Sequence, residues 1–64
     1  MVRINGEQVA AAGKTVAQYL ADAGCDLSRI AVEHNGDILP KSRYGQTVLA
    51  EGDEVEVVTF VGGG

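Results

Sequence analysis

A single cysteine, Cys25, rules out any disulfide within this 64-residue chain, so the fold has to rest on its apolar core. A small domain without staples suits a reducing compartment, and the expected location is cytoplasmic. No apolar run approaches the ~20 residues that a membrane-spanning helix needs. No basic stretch precedes an apolar one at the N-terminus, so neither a signal peptide nor a membrane partner is expected. Bases are also few, five against nine acids, for a formal net charge of −4. Phosphate backbones are bound by cationic surfaces, so no nucleic acid is expected as a partner. A basic protein surface matches the charge better, and the same charge also serves solubility.

Length is the other scarce quantity. Sixty-four residues make one small domain, and a domain of this size buries only about 60% of the surface its unfolded chain exposes. A deep substrate pocket would hollow out core that such a chain needs. The expectation is a carrier, adaptor or binding module rather than an independent enzyme. The apolar fraction, 45%, is that of a globular protein and too high for a disordered one.

Within those bounds the local signals are clear. Met1 to Ile4 alternates and is followed by Asn5-Gly6, a pair that tolerates the positive φ values of a tight hairpin turn, so Glu7 to Ala10 should return antiparallel. Thr15 with Gln18 three residues later is a capping box, which predicts a helix starting at Thr15. Val16, Tyr19, Leu20 and Ala23 fall on one helical stripe, and Gly24 supplies a left-handed C-terminal cap. Cys25 to Arg29 reads as a connector. Ile30 to His34 predicts a strand with Ile30 and Val32 on one face and Ala31 and Glu33 on the other. Asn35-Gly36 is a second hairpin turn, and Asp37 to Leu39 returns before Pro40 stops the ladder. After the polar stretch Lys41 to Gln46, Val48 and Leu49 re-enter the core; Glu51-Gly52-Asp53 makes a turn, and Glu54 to Val61 forms the last strand.

Two hairpins, one helix and a closing strand cannot cover a sheet on both sides, so the fold class is α+β with two layers. The last strand, with valines on both faces, suits the centre of a mixed sheet of about five strands, parallel to the first strand, with one main helix on one face. That is the β-grasp arrangement. Its domain spans 1–61 and a flexible glycine tail spans 62–64. The expected core is Val2, Ile4, Val16, Leu20, Val32, Val55 and Val57.

The chemistry points to the last residues. Val61 to Gly64 could reach at most about 14 Å beyond the sheet, and Gly62 and Gly63, lacking a Cβ, could pass through a channel too narrow for other residues. A carboxylate on Gly64 is a poor electrophile until a nucleotide-using enzyme converts it to an acyl adenylate, which a thiol or persulfide can then displace. Val58 and Phe60 lie on the strand face opposite Val55 and Val57, and are expected to be exposed beside the tail as a partner-docking surface. The acids Glu51, Asp53, Glu54 and Glu56 form a run that either steers a basic partner or is a solvated turn. Cys25 and His34 share no motif and have no further ligand at metal-binding spacing, so no catalytic residue and no metal site is expected. Cys25 reads as a small core residue, His34 as a strand residue, Tyr19 as core, and Tyr44 as a packed turn residue.

Taken together, Ile4-Asn5-Gly6-Glu7, Gly13-Lys14-Thr15-Val16, Ile30 to Gly36, Pro40, Val48-Leu49 and Gly52 to Gly64 resemble, in order and over nearly the full length, the ThiS family of ubiquitin-like sulfur carriers for thiamine biosynthesis. The resemblance implies a carrier that acts as co-substrate, not as enzyme, and binds no cofactor itself. An E1-like adenylating enzyme of the ThiF type would activate Gly64 with ATP and magnesium. A cysteine desulfurase would be the indirect source of the sulfur that turns Gly64 into a thiocarboxylate, and thiazole synthase would take that sulfur into the thiazole ring. Related carriers serve molybdopterin or cysteine synthesis, and other ubiquitin-like proteins modify lysines. The sequence leaves these alternatives open.

Overall fold

The computed structural model describes residues 1–60. Five strands and one α-helix follow in the order β1 (Val2–Ile4), β2 (Glu7–Val9), α1 (Val16–Asp22), β3 (Ile30–His34), β4 (Asp37–Leu39) and β5 (Glu54–Thr59), with short 3-10 turns at Leu27–Arg29 and Lys41–Arg43. The sheet order is β2-β1-β5-β3-β4. β5 pairs in parallel with β1 (Ile4 beside Val55) and antiparallel with β3 (Val32 beside Val57). The mixed sheet with a central last strand is the β-grasp arrangement expected from the sequence.

The local reasons are those the sequence advertises. Asn5 and Gly6 take φ of 50° and 83°, and Asn35 and Gly36 take 52° and 88°, which tight hairpins demand and most residues resist. Thr15 caps α1: its Oγ accepts from the Gln18 amide at 3.1 Å, while the Gln18 side chain accepts from the Thr15 amide at 2.9 Å. At the other end Gly24 is left-handed, and the amides of Cys25 and Gly24 donate to the carbonyls of Leu20 and Ala21 at 3.0 and 3.1 Å, a Schellman closure.

The core lies between the sheet and α1. Val2, Ile4, Val16, Leu20, Val32 and Val55 are buried as expected, joined by Ala11, Ile30, Tyr44 and Leu49. Burial holds the Tyr44 hydroxyl above the ordinary tyrosine range. Tyr44 is thus core as well as turn: its carbonyl accepts from the Ala17 amide at 3.0 Å, tying the 3-10 turn to the helix.

Three burial expectations are corrected. Val57 is half-buried, because β1 turns away after Ile4 and leaves no strand backbone on that side of it. Ala23 is exposed: it is the cap where the chain leaves the helix, and Ala17 packs on the core instead, beside a half-buried Tyr19. Val48 is exposed while Leu49 is buried, because the segment bridges Thr15 in extended form and consecutive side chains point opposite ways. Among the described residues, no helix is long and apolar enough to cross a membrane.

Candidate functional site

β5 presents two unlike faces. Val55 points into the core, whereas Val58 and Phe60 on the opposite side are 50% and 56% exposed. The expected placement of this pair on the face away from the helix therefore holds. Although β5 ends at Thr59, its pairing continues one step further, since the Phe60 amide donates to the Arg29 carbonyl at 2.7 Å. Gly62, Gly63 and Gly64, the tail residues on which the chemistry was expected, lie outside the described residues together with Val61.

The pairing registers place two more apolar side chains on this face, one of them beside Val58. Ala31 of β3 stands directly opposite it, half-buried, and Ile38 of β4, 77% exposed, shares the row Ile38–Glu33–Glu56 on the same open face. Ile38 was legible in principle, because the Asn35-Gly36 hairpin fixes its register opposite Glu33. An apolar group on a bare sheet face is what a docking surface offers.

Acids border this group. Glu33 of β3 lies directly opposite Glu56 of β5, and Glu54 faces Arg3 on the same side of the sheet. Like charges directly across a ladder are destabilising by themselves, so their arrangement favours a cationic surface laid over them. The acidic run of the sequence therefore divides. Glu54 and Glu56 belong to the open face, Glu51 lies 2.8 Å from the α-amino group of Met1, and Asp53 turns inward.

Asp53 is the centre of a polar clasp at the root of β5. Its Oδ2 lies 2.8 Å from His34 Nε2 and accepts from the Ala50 amide at 2.9 Å, while Oδ1 accepts from Asn35 Nδ2 at 3.2 Å. These hydrogen bonds, His34 foremost, hold the Asp53 carboxyl below its ordinary value. His34 is thus more than a strand residue; it ties β3 to the turn before β5. Asn35 adds a further tie, accepting from the Glu54 amide at 2.9 Å. Asn5 does the same from the other side: its Oδ1 accepts from the Val57 amide at 2.8 Å and its Nδ2 donates to the Val57 carbonyl at 3.2 Å. The sequence marked both asparagines as turn formers only. Partners 52 positions away from Asn5 and 19 from Asn35 leave no local signal.

Two further features of the described residues lie outside this face. Cys25 is a free, half-buried thiol packed on the core. A shallow hollow on α1, lined by Lys14, Gln18, Ala21 and Asp22, is partly closed by the 2.8 Å ion pair of Lys14 with Asp22. Among the described residues, no three histidine, cysteine or acidic side chains come together as metal ligands.

Comparison with known proteins agrees with this architecture. The model of the ThiS family matches residues 2–64. The sulfur carrier protein ThiS of Bacillus subtilis is 35% identical over 66 aligned positions that cover all of both chains. A thiazole synthase of Paramagnetospirillum magneticum is 45% identical over 62 residues, 95% of this chain but 19% of that longer protein. This chain spans about a fifth of the length of the thiazole synthases it matches. Among solved structures, the crystal structure of the thiamine biosynthesis protein ThiS from Geobacter metallireducens superposes with a TM-score of 0.78 at 30% identity, covering 98% of this chain and 97% of that one.

Proposed function

The chain belongs to the ThiS family, and from that premise we propose that it is a sulfur carrier for thiamine biosynthesis whose reacting group is the carboxylate of Gly64. The observation that carries the reading is the match, over the whole of both chains, to a protein named as a sulfur carrier. The fold agrees with it: β5, the strand that precedes residues 61–64 in the chain, lies at the centre of the sheet.

In this reading the carrier is a co-substrate. A free carboxylate resists attack by sulfur because its leaving group would be oxide. An E1-like adenylating partner of the ThiF type, using ATP and magnesium, joins Gly64 to AMP and releases pyrophosphate. The terminal sulfur of a cysteine-desulfurase persulfide then displaces AMP to form an acyl disulfide. A second thiol cleaves its S–S bond, releasing the thiocarboxylate and leaving a disulfide between the two thiols. The likeness to thiazole synthases supports thiazole synthase as the enzyme that consumes the sulfur. The cytoplasm is the proposed compartment, which suits the free thiol of Cys25.

Docking is assigned to the open face. Val58 and Phe60, with Ile38 at their flank, supply apolar contact next to the tail, and Glu33, Glu54 and Glu56 favour a basic rim on the partner. The chain's own part is to present and aim Gly64; the chemistry belongs to the partners.

The test is the intact mass of the protein isolated from cells that make thiamine. A fraction heavier by the replacement of one oxygen with sulfur, lost when the adenylating enzyme is deleted, is the expected result. A ladder of larger conjugates without the sulfur form would instead mark a protein modifier and overturn the reading.

A further inference from the structure

We propose that Asn5 is a positioning residue for the activation of Gly64, acting through Val57; the proposal rests on the carrier reading above. β1 runs parallel to β5, and the Asn5 amide makes the last main-chain bond between them, donating to the Val55 carbonyl at 2.9 Å. At Asn5 the chain must turn, with φ of 50°, so its own carbonyl is carried away from β5. The next peptide that β1 would have offered is supplied by the side chain instead. A carboxamide has the same donor and acceptor as a peptide unit. Here Oδ1 accepts from Val57 N–H at 2.8 Å and Nδ2 donates to Val57 C=O at 3.2 Å.

This two-point clasp extends the grip of β1 on β5 by one residue pair toward the reacting end. Beyond Val57 the described strand is held by β3 alone, through Ala31 beside Val58, Ile30 beside Thr59 and the Phe60 amide on Arg29. Removing the carboxamide would leave Val57 to Phe60 paired on one side only. The open face, which is anchored to β3, would survive. The direction in which the chain leaves the sheet would become an ensemble, and fewer docked carriers would present Gly64 in line with the nucleotide. Misplacement of a reacting group lowers turnover rather than affinity.

Asn5→Gly separates the two effects, because glycine accepts the positive φ at no steric cost and removes only the carboxamide. Asn35→Gly is the control: it removes a side-chain tie at the start of β5, which accepts from the Glu54 amide and donates to Asp53 Oδ1, away from the tail. Pyrophosphate exchange catalysed by the adenylating partner is measured for each folded carrier, well below its thermal midpoint. Asn5→Gly should lower kcat roughly ten-fold or more with KM little changed, and should speed hydrogen exchange at the Val57 amide. Asn35→Gly should lower the thermal midpoint and keep the parent's kcat. If Asn5→Gly does not fold, Asn5→Asp takes its place, since a carboxylate cannot donate to the Val57 carbonyl, and the same loss of kcat is expected. Parental kcat in the Asn5 variant, or equal losses in both asparagine variants, would overturn the proposal while leaving the carrier reading intact. A parent protein that the adenylating enzyme does not activate would overturn the carrier reading, and this inference with it.

Discussion

His34 and Asp53 meet at the root of the central strand, Nε2 to Oδ2 at 2.8 Å, with side chains only 23% and 15% exposed. The contact joins the end of β3 to the turn that launches β5, and Asp53 accepts two further hydrogen bonds there, from the Ala50 amide and the Asn35 side chain. Because this environment favours the charged carboxylate, Asp53 is held below its ordinary value of 3.8, with the His34 hydrogen bond the largest cause. A depressed carboxyl stabilises the fold above its unfolded-state value, and that stabilisation is lost as pH falls through the folded one. Stability should therefore decline on acidification from just above 3.8 downward. In Asp53→Asn that part of the decline should flatten and the midpoint near neutrality should drop. Thermal melts of the two proteins across acidic pH check this.

The helix face rests on Leu20, which is fully buried. Leu20→Ala should cost about 2–5 kcal/mol, a large share of the stability of so small a domain. Val48→Ala, at a side chain that is 58% exposed, should change stability by no more than about 0.5 kcal/mol. Urea titration of both variants distinguishes the two sites; equal midpoints would mean that the helix does not cover the core at Leu20.

Phe60→Glu should leave the fold intact, since Phe60 is 56% exposed and its backbone bond to Arg29 does not involve the side chain. Binding to the adenylating partner, followed by calorimetry, should weaken because a charge enters an apolar contact. Unaltered binding would place the docking contact elsewhere.

Glu33 and Glu56 face each other across β3 and β5, and under the proposed docking this pair ties stability to partner choice. Glu33→Gln removes the like-charge opposition at constant shape and should raise stability by about 0.2–1 kcal/mol. The same change should weaken association with a basic partner and make it less sensitive to salt. A variant that gains stability without losing affinity would show that these acids serve the sheet surface alone.

The tail gives the sharpest test of function. Adding one alanine after Gly64 moves the carboxylate by about 3.5 Å and sets a Cβ beside it, and deleting Gly64 shortens the reach by the same step. Both changes fall after the last described strand, which ends at Thr59, so circular dichroism and the thermal midpoint should match the parent. Thiocarboxylate formation should collapse in both, and Gly63→Val should also impair it. Sulfur loading at the parental level in the lengthened and shortened proteins would show that Gly64 is not the reacting group.

The elements and most of the core were legible in the sequence because their causes are local. Asn-Gly at two turns, Thr15 with Gln18 at the helix start, Gly24 at its end and strict alternation in β3 each act over a few residues, and the structure honours all of them. The exposed placement of Val58 and Phe60 followed from the same alternation once one face of β5 was given to the core. Tertiary structure decided what depends on distant neighbours. Val57 is half-buried because β1 ends beside it, Asp53 leaves the acidic run because His34 and Asn35 come within reach, and Ile38 joins the open face through its register with Glu33. Above all, the carboxamide of Asn5 is a turn residue in the sequence and a strand peptide in the fold, because only the parallel pairing of the first and last strands brings Val57 to it.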